Sequence, residues 1–183
     1  MKSSSDTCGK IREKIRTIPD YPKKGIQFRD ITTLLKDPKG LELVVGALRK
    51  TYEGHGIHKV AAIEARGFIL GAPLALAMRV GFVPIRKKGK LPAATRSREY
   101  ELEYGRDVVE IHEDAISAGE KVLLVDDLLA TGGTAMAAVE LIRDLEGIVQ
   151  HSCFAIDLPE LGGRQKLETM GLAVHTLCEF AGH

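Results

Sequence analysis

The sequence predicts an α/β fold with a largely parallel central sheet flanked by helices. One observation is the continuous apolar run Val122–Val125, whose β-branched and leucine residues are typical of a strand buried on both faces. A second is the Gly-rich turn behind it, followed by apolar positions that recur at helical spacing from Met136 to Leu145. A third is the alternation of such strand and helix patterns along the chain, which favours a parallel sheet.

The length and composition limit the classes to which this protein can belong. A chain of 183 residues with a net charge of +1 is expected to form a single domain, 1–183, with a full core. The balanced charge does not indicate a nucleic-acid partner, and no apolar run is long enough for a membrane helix. Three cysteines without metal-ligand spacing and a start without a signal-peptide pattern indicate the cytoplasm.

The remaining elements follow from local signals. Isoleucines at helical spacing from Ile11 to Ile18 predict a short helix that Pro19 ends. The pair Asp37–Pro38 provides an N-cap and a first helical residue, and so predicts a helix to Tyr52. The other predictions, in order, are a loop at 21–30, a strand at 60–63, a helix at 68–79, strands at 82–85 and 108–111, and strands at 154–156 and 174–177 with a helix at 163–170 between them.

The section 87–105 has the least regular pattern in the chain. It combines Gly89, Pro92 and several basic residues with little apolar periodicity. Long loops of this kind are often active-site lids. The sequence therefore predicts a flexible catalytic loop at 93–105.

The turn behind the buried strand has the chemistry of an anion site. Backbone N–H groups of a Gly-rich turn at a helix start point outward at the positive end of the helix dipole, where a phosphate binds well. Two adjacent carboxylates before the turn could accept both hydroxyls of a ribose. The pattern therefore predicts a ribose 5-phosphate site, with the diol on Asp126 and Asp127 and the phosphate on Ala130, Thr131, Gly132, Gly133 and Thr134. The alternative is that Asp127 or Thr131 only caps the helix.

Two other segments carry cations at predicted strand ends. Arg66 follows Ala65 in a second strand-to-helix turn, where its planar guanidinium could bind a phosphate. Basic residues also cluster at Arg86, Lys87, Lys88 and Lys90. Taken alone, each could be an ordinary solvated charge.

The segment Asp126–Thr134 closely resembles the phosphoribosyl-pyrophosphate (PRPP) signature of the type I phosphoribosyltransferases. Three further segments, in the order of that family, resemble adenine phosphoribosyltransferases: Tyr21–Ile31, Glu64–Phe68, and Arg86–Pro92 with Tyr100–Gly105. The resemblance implies the type I phosphoribosyltransferase fold with a small N-terminal hood. It implies a magnesium-dependent pentosyltransferase of purine salvage that converts adenine and PRPP into AMP and pyrophosphate.

The resemblance also implies roles for residues at matching positions. The hood, with the N-terminal helix, would occupy 1–35. Glu103 would be the catalytic glutamate, Tyr104 would support the closed lid, and a non-proline cis peptide would fall at Ala65–Arg66. The base would contact Gln27, Phe28 and Arg29, and pyrophosphate would contact Ala65, Arg66, Arg86, Lys87 and Lys90.

Two expectations concern partners. Mg²⁺ would be held mainly through PRPP, with no direct protein ligand assigned. The family also implies a homodimer, and the sequence leaves open whether the basic residues at 86–90 serve their own subunit's site or the neighbour's.

Two other functions stay open at this point. One is transfer to another purine base, against which the Phe28 hood and the 100–105 motif argue. The other is a non-catalytic PRPP-binding regulator. It is less favoured because no basic DNA-binding helix precedes Tyr21 and Glu103 is present.

Overall fold

A computed structural model describes residues 2–101 and 105–182 of the protein, with side chains from Asp6 onward. The helices are α1 (Lys2–Glu13), α2 (Thr32–Leu35), α3 (Pro38–Tyr52), α4 (Arg66–Met78), α5 (Gly133–Asp144) and α6 (Gly163–Thr169), with a 3₁₀ turn at Pro159–Leu161. The strands are β1 (Arg16–Pro19), β2 (Gln27–Asp30), β3 (Lys59–Ile63), β4 (Gly81–Lys87), β5 (Thr95–Glu101), β6 (Arg106–His112), β7 (Lys121–Leu129), β8 (Ile148–Asp157) and β9 (Ala173–Glu179).

Seven of the described strands form one sheet in the order β5-β6-β4-β3-β7-β8-β9. The strands from β4 to β9 in this order run parallel, whereas β6 and β5 are antiparallel additions at one edge. The predicted α/β fold with a largely parallel sheet is confirmed. Since β7 pairs with both β3 and β8, its carboxyl end lies in the middle of the edge where parallel strands present ligand-binding loops.

The apolar run in β7 is buried on both faces, as predicted. Val122 and Leu124 belong to one hydrophobic cluster, and Leu123 and Val125 belong to another. Because successive side chains of a strand point to opposite faces, the two clusters lie on the two sides of the sheet. Helix α5 supplies the first cluster and helices α3 and α4 the second, so the sheet is covered on both faces.

The helix predicted from Asp37–Pro38 is confirmed as α3. The Asp37 carboxylate accepts a hydrogen bond from Lys39 N, and Pro38 occupies the first turn. Within the described ranges, no helix has both the length and the apolar character needed to cross a membrane.

The prediction for the N-terminal segment is wrong in two places. Helix α1 ends at Glu13, and Ile18 lies in β1, opposite Phe28 of β2. Segment 21–30 is therefore not entirely a loop, because its last four residues form β2. Pairing of these short strands satisfies their backbone groups, and this outweighs the helical spacing of the isoleucines.

The irregular section predicted at 87–105 also contains a strand. Residues Thr95–Glu101 form β5 and pair with β6 along their full length. Most of these side chains are charged or exposed, and Tyr100 alone among them is buried. A charged strand at a sheet edge lacks the apolar alternation that predicts strands.

Candidate active site

The phosphate turn, defined as Ala130–Thr134, joins the end of β7 to the start of α5. Gly132 is the N-cap residue with a φ of 81°, and no side chain hydrogen-bonds to the helix start. The alternative that Asp127 or Thr131 caps this helix is therefore not what the structure shows. The turn lines a small cavity of about 90 Å³ together with Asp126. Its first N–H groups remain available for an anion.

Helix α6 braces the phosphate turn from behind. Gly163 N donates a hydrogen bond to Ala130 O over 3.0 Å. A Cβ atom on Gly163 would lie 2.2 Å from Ala130 O, and one on Gly132 would lie 3.0 Å from Gly163 Cα. Lys166 adds a hydrogen bond from Nζ to Thr131 O over 2.9 Å. The position of the turn thus depends on two glycines in direct contact.

Sequence reasoning missed Gly163 and Lys166. The only local signal is the Gly162–Gly163 pair before a short helix, and nothing in the sequence relates that pair to a turn thirty residues earlier.

The two carboxylates lie side by side near the carboxyl end of β7. Asp126 Oδ1 accepts a hydrogen bond from Asp127 N over 2.8 Å. A Cβ on Gly67 would lie 2.7 Å from Asp126 Oδ1, so the glycine of the second strand-to-helix turn lets helix α4 approach this carboxylate. The structure brings the two predicted ligand-binding turns together at these acids.

Burial governs the electrostatics of the pair. Desolvation raises the pKa of both Asp126 and Asp127, and the adjacent carboxylate raises the pKa of Asp126 further. The positive charge of Arg66 opposes the shift at Asp127. Asp127 Oδ2 lies 3.0 Å from Arg66 Nε, yet it is a buried oxygen without a partner in hydrogen-bond geometry. A hydroxyl donor would satisfy it.

Arg66 connects the carboxylates to the N-terminal hood. Its guanidinium carbon lies 5.8 Å from the centre of the Phe28 ring, within the range of a cation–π contact. The Tyr21 and Phe28 rings pack in a T-shaped arrangement, with 5.2 Å between their centroids. An aromatic face, a cation and two carboxylates therefore meet at one place.

Arg29 uses its side chain for a structural purpose. The guanidinium donates to Thr17 Oγ1 and to Ala181 O, each over 2.6 Å, and lies over the Phe180 ring at 4.8 Å. This ties the C-terminal segment to the hood, and leaves the main chain of β2, including Gln27, as the part that could contact a base.

The position predicted for the cis peptide is wrong by one residue. The non-proline cis bond is Glu64–Ala65, not Ala65–Arg66. Glu64 N still donates to Ile85 O as part of the sheet, whereas Ala65 already has helical dihedral angles as the N-cap of α4. Ala65 thus joins the cis bond directly to α4, which starts at Arg66.

The basic cluster is partly paired with carboxylates. Arg86 binds both oxygens of Glu64 at 3.1 Å each, and this contact lowers the pKa of Glu64. Lys87 Nζ donates to Asp107 Oδ2 and to the Tyr100 hydroxyl.

Lys88 and Lys90 differ from these two cations. In the described part of the chain, neither side chain forms a salt bridge. Of the residues predicted to contact pyrophosphate, Lys90 is therefore the cluster member that could reach a phosphate without first leaving a carboxylate.

The end of β5 reaches the phosphate turn. A Cβ on Gly133 would lie 2.8 Å from Glu101 O, and Tyr100 packs beside it. Between β5 and α5 lies a cavity of about 500 Å³, lined by Glu99, Tyr100, Glu101, Thr131, Gly133, Met136, Ala137, Glu140 and Lys166. The predicted catalytic Glu103 and the lid residue Tyr104 lie outside the described residues.

Comparison with known proteins identifies the family and the fold. A family model described as a phosphoribosyl transferase domain matches residues 30–167. The chain belongs to the phosphoribosyltransferase family.

Individual relatives of this phosphoribosyltransferase match its sequence and structure over 94% or more of the chain. An adenine phosphoribosyltransferase of Shewanella piezotolerans is 57% identical over 182 residues, which are 100% of both chains. The crystal structure of adenine phosphoribosyltransferase from Thermoanaerobacter pseudethanolicus has a TM-score of 0.90 and 52% identity, and covers 94% of this chain and 99% of its own. The Saccharomyces cerevisiae enzyme, solved with adenine, has a TM-score of 0.89 and 38% identity, with coverages of 94% and 99%.

Proposed function

We propose that this phosphoribosyltransferase transfers the 5-phosphoribosyl group of PRPP to adenine, giving AMP and pyrophosphate in purine salvage. The observation that carries the proposal is the meeting of hood and ribose site at Arg66, which contacts both Phe28 and Asp127. The phosphate turn lies at the end of the same strand as Asp127. A base, a ribose and its phosphate would therefore find partners in a single continuous site.

The phosphate turn would hold the 5-phosphate of PRPP and AMP through its free N–H groups and the dipole of α5. Asp126 and Asp127 would accept hydrogen bonds from the ribose hydroxyls. The unpartnered Asp127 Oδ2 supports this role, since a hydroxyl proton would satisfy it. Binding energy from these remote groups would position the reacting carbon.

The pyrophosphate would lie against Ala65 and Arg66, with Arg86, Lys87 and Lys90 as further cations. Arg86 and Lys87 would exchange their present carboxylate partners for it, and Lys90 would bind directly. The carboxylates of Asp126 and Asp127 are oxygen donors of the kind that suits Mg²⁺, so the site fits an ion carried in by PRPP. Magnesium would neutralise the charge of the leaving pyrophosphate.

In the reaction, the bond from the ribose C1 to pyrophosphate breaks and N9 of adenine forms the new bond to C1. The hood would orient the base between Phe28 and the main chain around Gln27 and Arg29. Glu103 would exchange the proton of the purine or stabilise positive charge on the ribose, and Tyr104 would support the closed lid.

Free thiols at Cys8, Cys153 and Cys178 are compatible with a cytoplasmic protein.

The test is AMP formation by the purified protein with PRPP and Mg²⁺, with adenine, hypoxanthine and guanine offered in parallel. AMP from adenine alone is the expected result. Turnover of hypoxanthine or guanine would mean that the base assignment is wrong, whereas the assignment of the phosphate site would stand. PRPP binding without turnover of any base would favour a non-catalytic PRPP-binding regulator.

Asp127→Asn is expected to weaken binding of both PRPP and AMP. A hydrogen bond to a charged group contributes about 1.5–3 kcal/mol, so both dissociation constants should rise about tenfold to a hundredfold. Isothermal calorimetry measures both constants. Asp114→Asn, at an exposed carboxylate away from the site, is the matched control. Unchanged affinities in Asp127→Asn would remove Asp127 from the ribose site.

The proposed homodimer has a candidate surface on α4. Ile69 and Leu76 lie seven residues apart on one face of this helix and are 45% and 80% exposed. Exposed apolar residues in a row on one helix face are typical of protein interfaces. Because α4 begins at Arg66, a second copy docked there would lie next to the pyrophosphate site, where its basic residues could take part.

Leu76→Asp is expected to convert the dimer into a monomer. A buried unpaired carboxylate at an interface costs several kcal/mol, so the mass measured by light scattering after gel filtration should fall to that of a single chain. Ile148→Asp is the control, because Ile148 is 40% exposed on a different element. An unchanged dimer in Leu76→Asp would exclude this face of α4 as the interface.

A further inference from the structure

Arg164 connects the start of helix α6 to the last two strands of the sheet. It is the second residue of α6, directly after Gly163. Its Nε donates to Asp157 Oδ2 on β8 over 2.8 Å. On β9, its Nη1 donates to Val174 O over 3.1 Å and its Nη2 donates to Thr176 Oγ1 over 2.6 Å. We name these contacts of Arg164 with Asp157, Val174 and Thr176 the α6 anchor.

The carboxylate of Asp157 makes the α6 anchor costly to release. The Asp157 side chain is fully buried, and within the described residues its Oδ1 atom has no hydrogen-bond partner. Arg164, itself only 30% exposed, compensates this buried charge. A buried carboxylate that loses its cation is strongly destabilising, so the guanidinium is held firmly in one place. Glu179 Oε1 also lies 3.4 Å from Nη2, but that side chain is 61% exposed and contributes little.

The α6 anchor fixes the backbone on which the phosphate turn rests. Gly163 precedes Arg164 directly, and its N–H donates to Ala130 O at the start of the turn. Its Cα lies so close to Gly132 that a Cβ on Gly132 would be only 3.0 Å away. No side chain hydrogen-bonds to the start of α5, so the turn has no such support from its own segment. The first turn of α6 supports the phosphate turn, and Arg164 holds that first turn in place.

Arg164 does not reach the phosphate site itself. Its Nε, Nη1 and Nη2 atoms donate to acceptors on β8 and β9. The cavity at the phosphate turn is lined by Asp126 and by residues 128–135, which belong to β7, the turn and α5. An effect of Arg164 on a bound phosphate must therefore pass through Gly163 and the phosphate turn.

We infer that Arg164 is a positioning residue for the 5-phosphate: the α6 anchor holds α6 against the phosphate turn and thereby sets the affinity of the site for PRPP and AMP. The inference rests on the proposed function, because it assumes that the 5-phosphate binds at the start of α5. A contact that is equally strong in the ground state and in the transition state affects KM and leaves kcat unchanged. The α6 anchor therefore acts on the KM for PRPP, and not on kcat or on the KM for adenine.

The first test compares Arg164→Lys with Arg143→Lys. Lysine keeps a positive charge for Asp157, but its single nitrogen cannot hold the forked set of acceptors on two strands. The KM for PRPP and the dissociation constant of AMP are expected to rise about tenfold, less than the hundredfold loss that a displacement of about 1 Å can cause. Arg143 is the matched control, because its Nη2 donates to Met170 O at the opposite end of α6. Both constants should stay unchanged in Arg143→Lys.

These readouts separate positioning from a general loss of stability. A destabilised preparation contains less folded enzyme, so it would show a lower kcat per chain and an unchanged KM for either substrate. Arg164→Lys should instead keep kcat and the KM for adenine within about twofold of the unmodified protein. Thermal unfolding checks that both lysine variants are folded at the assay temperature.

The second test uses Asp157→Asn, which also provides the measurement if Arg164→Lys does not fold. Asparagine keeps the volume of the side chain and removes the buried charge, while the partly exposed Arg164 retains its contacts on β9. Because a neutral hydrogen bond has about half the strength of a charge-assisted one, the KM for PRPP should rise about threefold, again without a change in kcat. In the double variant, the two effects should multiply to less than their product, since both changes release the same anchor.

Two results would overturn the inference. One is a KM for PRPP and an AMP dissociation constant that agree between Arg164→Lys and Arg143→Lys, and the other is a KM for adenine that rises in parallel with that for PRPP. Calorimetry with AMP needs no turnover, and so it separates this failure from failure of the proposed function. An unmodified protein that binds AMP but forms none from adenine refutes the proposed function, and the AMP affinities of the two variants still test Arg164. A protein that binds neither AMP nor PRPP refutes both.

Discussion

Glu103→Gln is expected to lower kcat for AMP formation by about 100- to 10,000-fold, the range for a positioned acid or base. Glutamine keeps the size of the side chain, but it can neither take up a proton from the purine nor offer a negative charge to a ribose that becomes positive as pyrophosphate leaves. Since the 5-phosphate and the ribose hydroxyls would be bound elsewhere, the affinity for PRPP should change little. A loss confined to kcat would show that Glu103 acts in the transition state.

Glu101→Gln is the matched control, because Glu101 belongs to the same segment and its side chain is exposed. Steady-state kinetics with adenine and PRPP gives kcat, and calorimetry gives the affinity for PRPP. We expect Glu101→Gln to retain nearly the full kcat. A Glu103→Gln variant that is as active as this control would exclude Glu103 from the mechanism.

Gly163→Ala is expected to damage the phosphate site through a methyl group that never touches the ligand. The new Cβ would lie 2.2 Å from Ala130 O and 2.9 Å from Gly132 N, far inside van der Waals contact. Both atoms belong to the backbone and cannot rotate away, so the phosphate turn or α6 must shift. A displacement of about 1 Å can cost about a hundredfold in rate, and we expect a fall of that order in kcat/KM for PRPP.

The same substitution should lower stability by about 1–3 kcal/mol, the usual cost of overpacking. Gly46→Ala in α3 is the control, because a Cβ there meets no atom within 4 Å. Alanine in a helix interior should instead stabilise by about 0.5–1 kcal/mol. Urea unfolding measures the change in stability, and steady-state kinetics measures kcat/KM for PRPP. An unchanged kcat/KM in Gly163→Ala would mean that α6 does not position the phosphate turn.

The main sheet and the phosphate turn could be predicted because their signals are local. The apolar run Val122–Val125 is long enough to indicate burial on both faces. The combination of glycines, threonines and acidic residues that follows it is typical of a ribose-phosphate site and of few other structures. Asp37–Pro38 likewise specifies the start of α3 within two residues. In each case, the chemistry that determines the structure lies within a single short segment.

The hood strands and β5 could not be predicted, because their stability comes from distant partners. Ile18 pairs with Phe28, and the charged residues of β5 form their strand only when β6 is beside them. The contact between Gly132 and Gly163 is similar, since its cause is the close approach of two backbones.

The central place of β7 has a consequence for the lifetime of the protein. Its two neighbours in the sheet come from residues 59–63 and 148–157, so β7 and the acids at its end are in place only when distant parts of the chain have come together. A partly opened chain therefore has no site, and a substrate that binds only the closed form opposes opening. At a substrate concentration one hundred times its dissociation constant, this adds about 2.7 kcal/mol to the free energy of unfolding. Proteases that attack open chains would then degrade the protein more slowly when its own substrate is abundant.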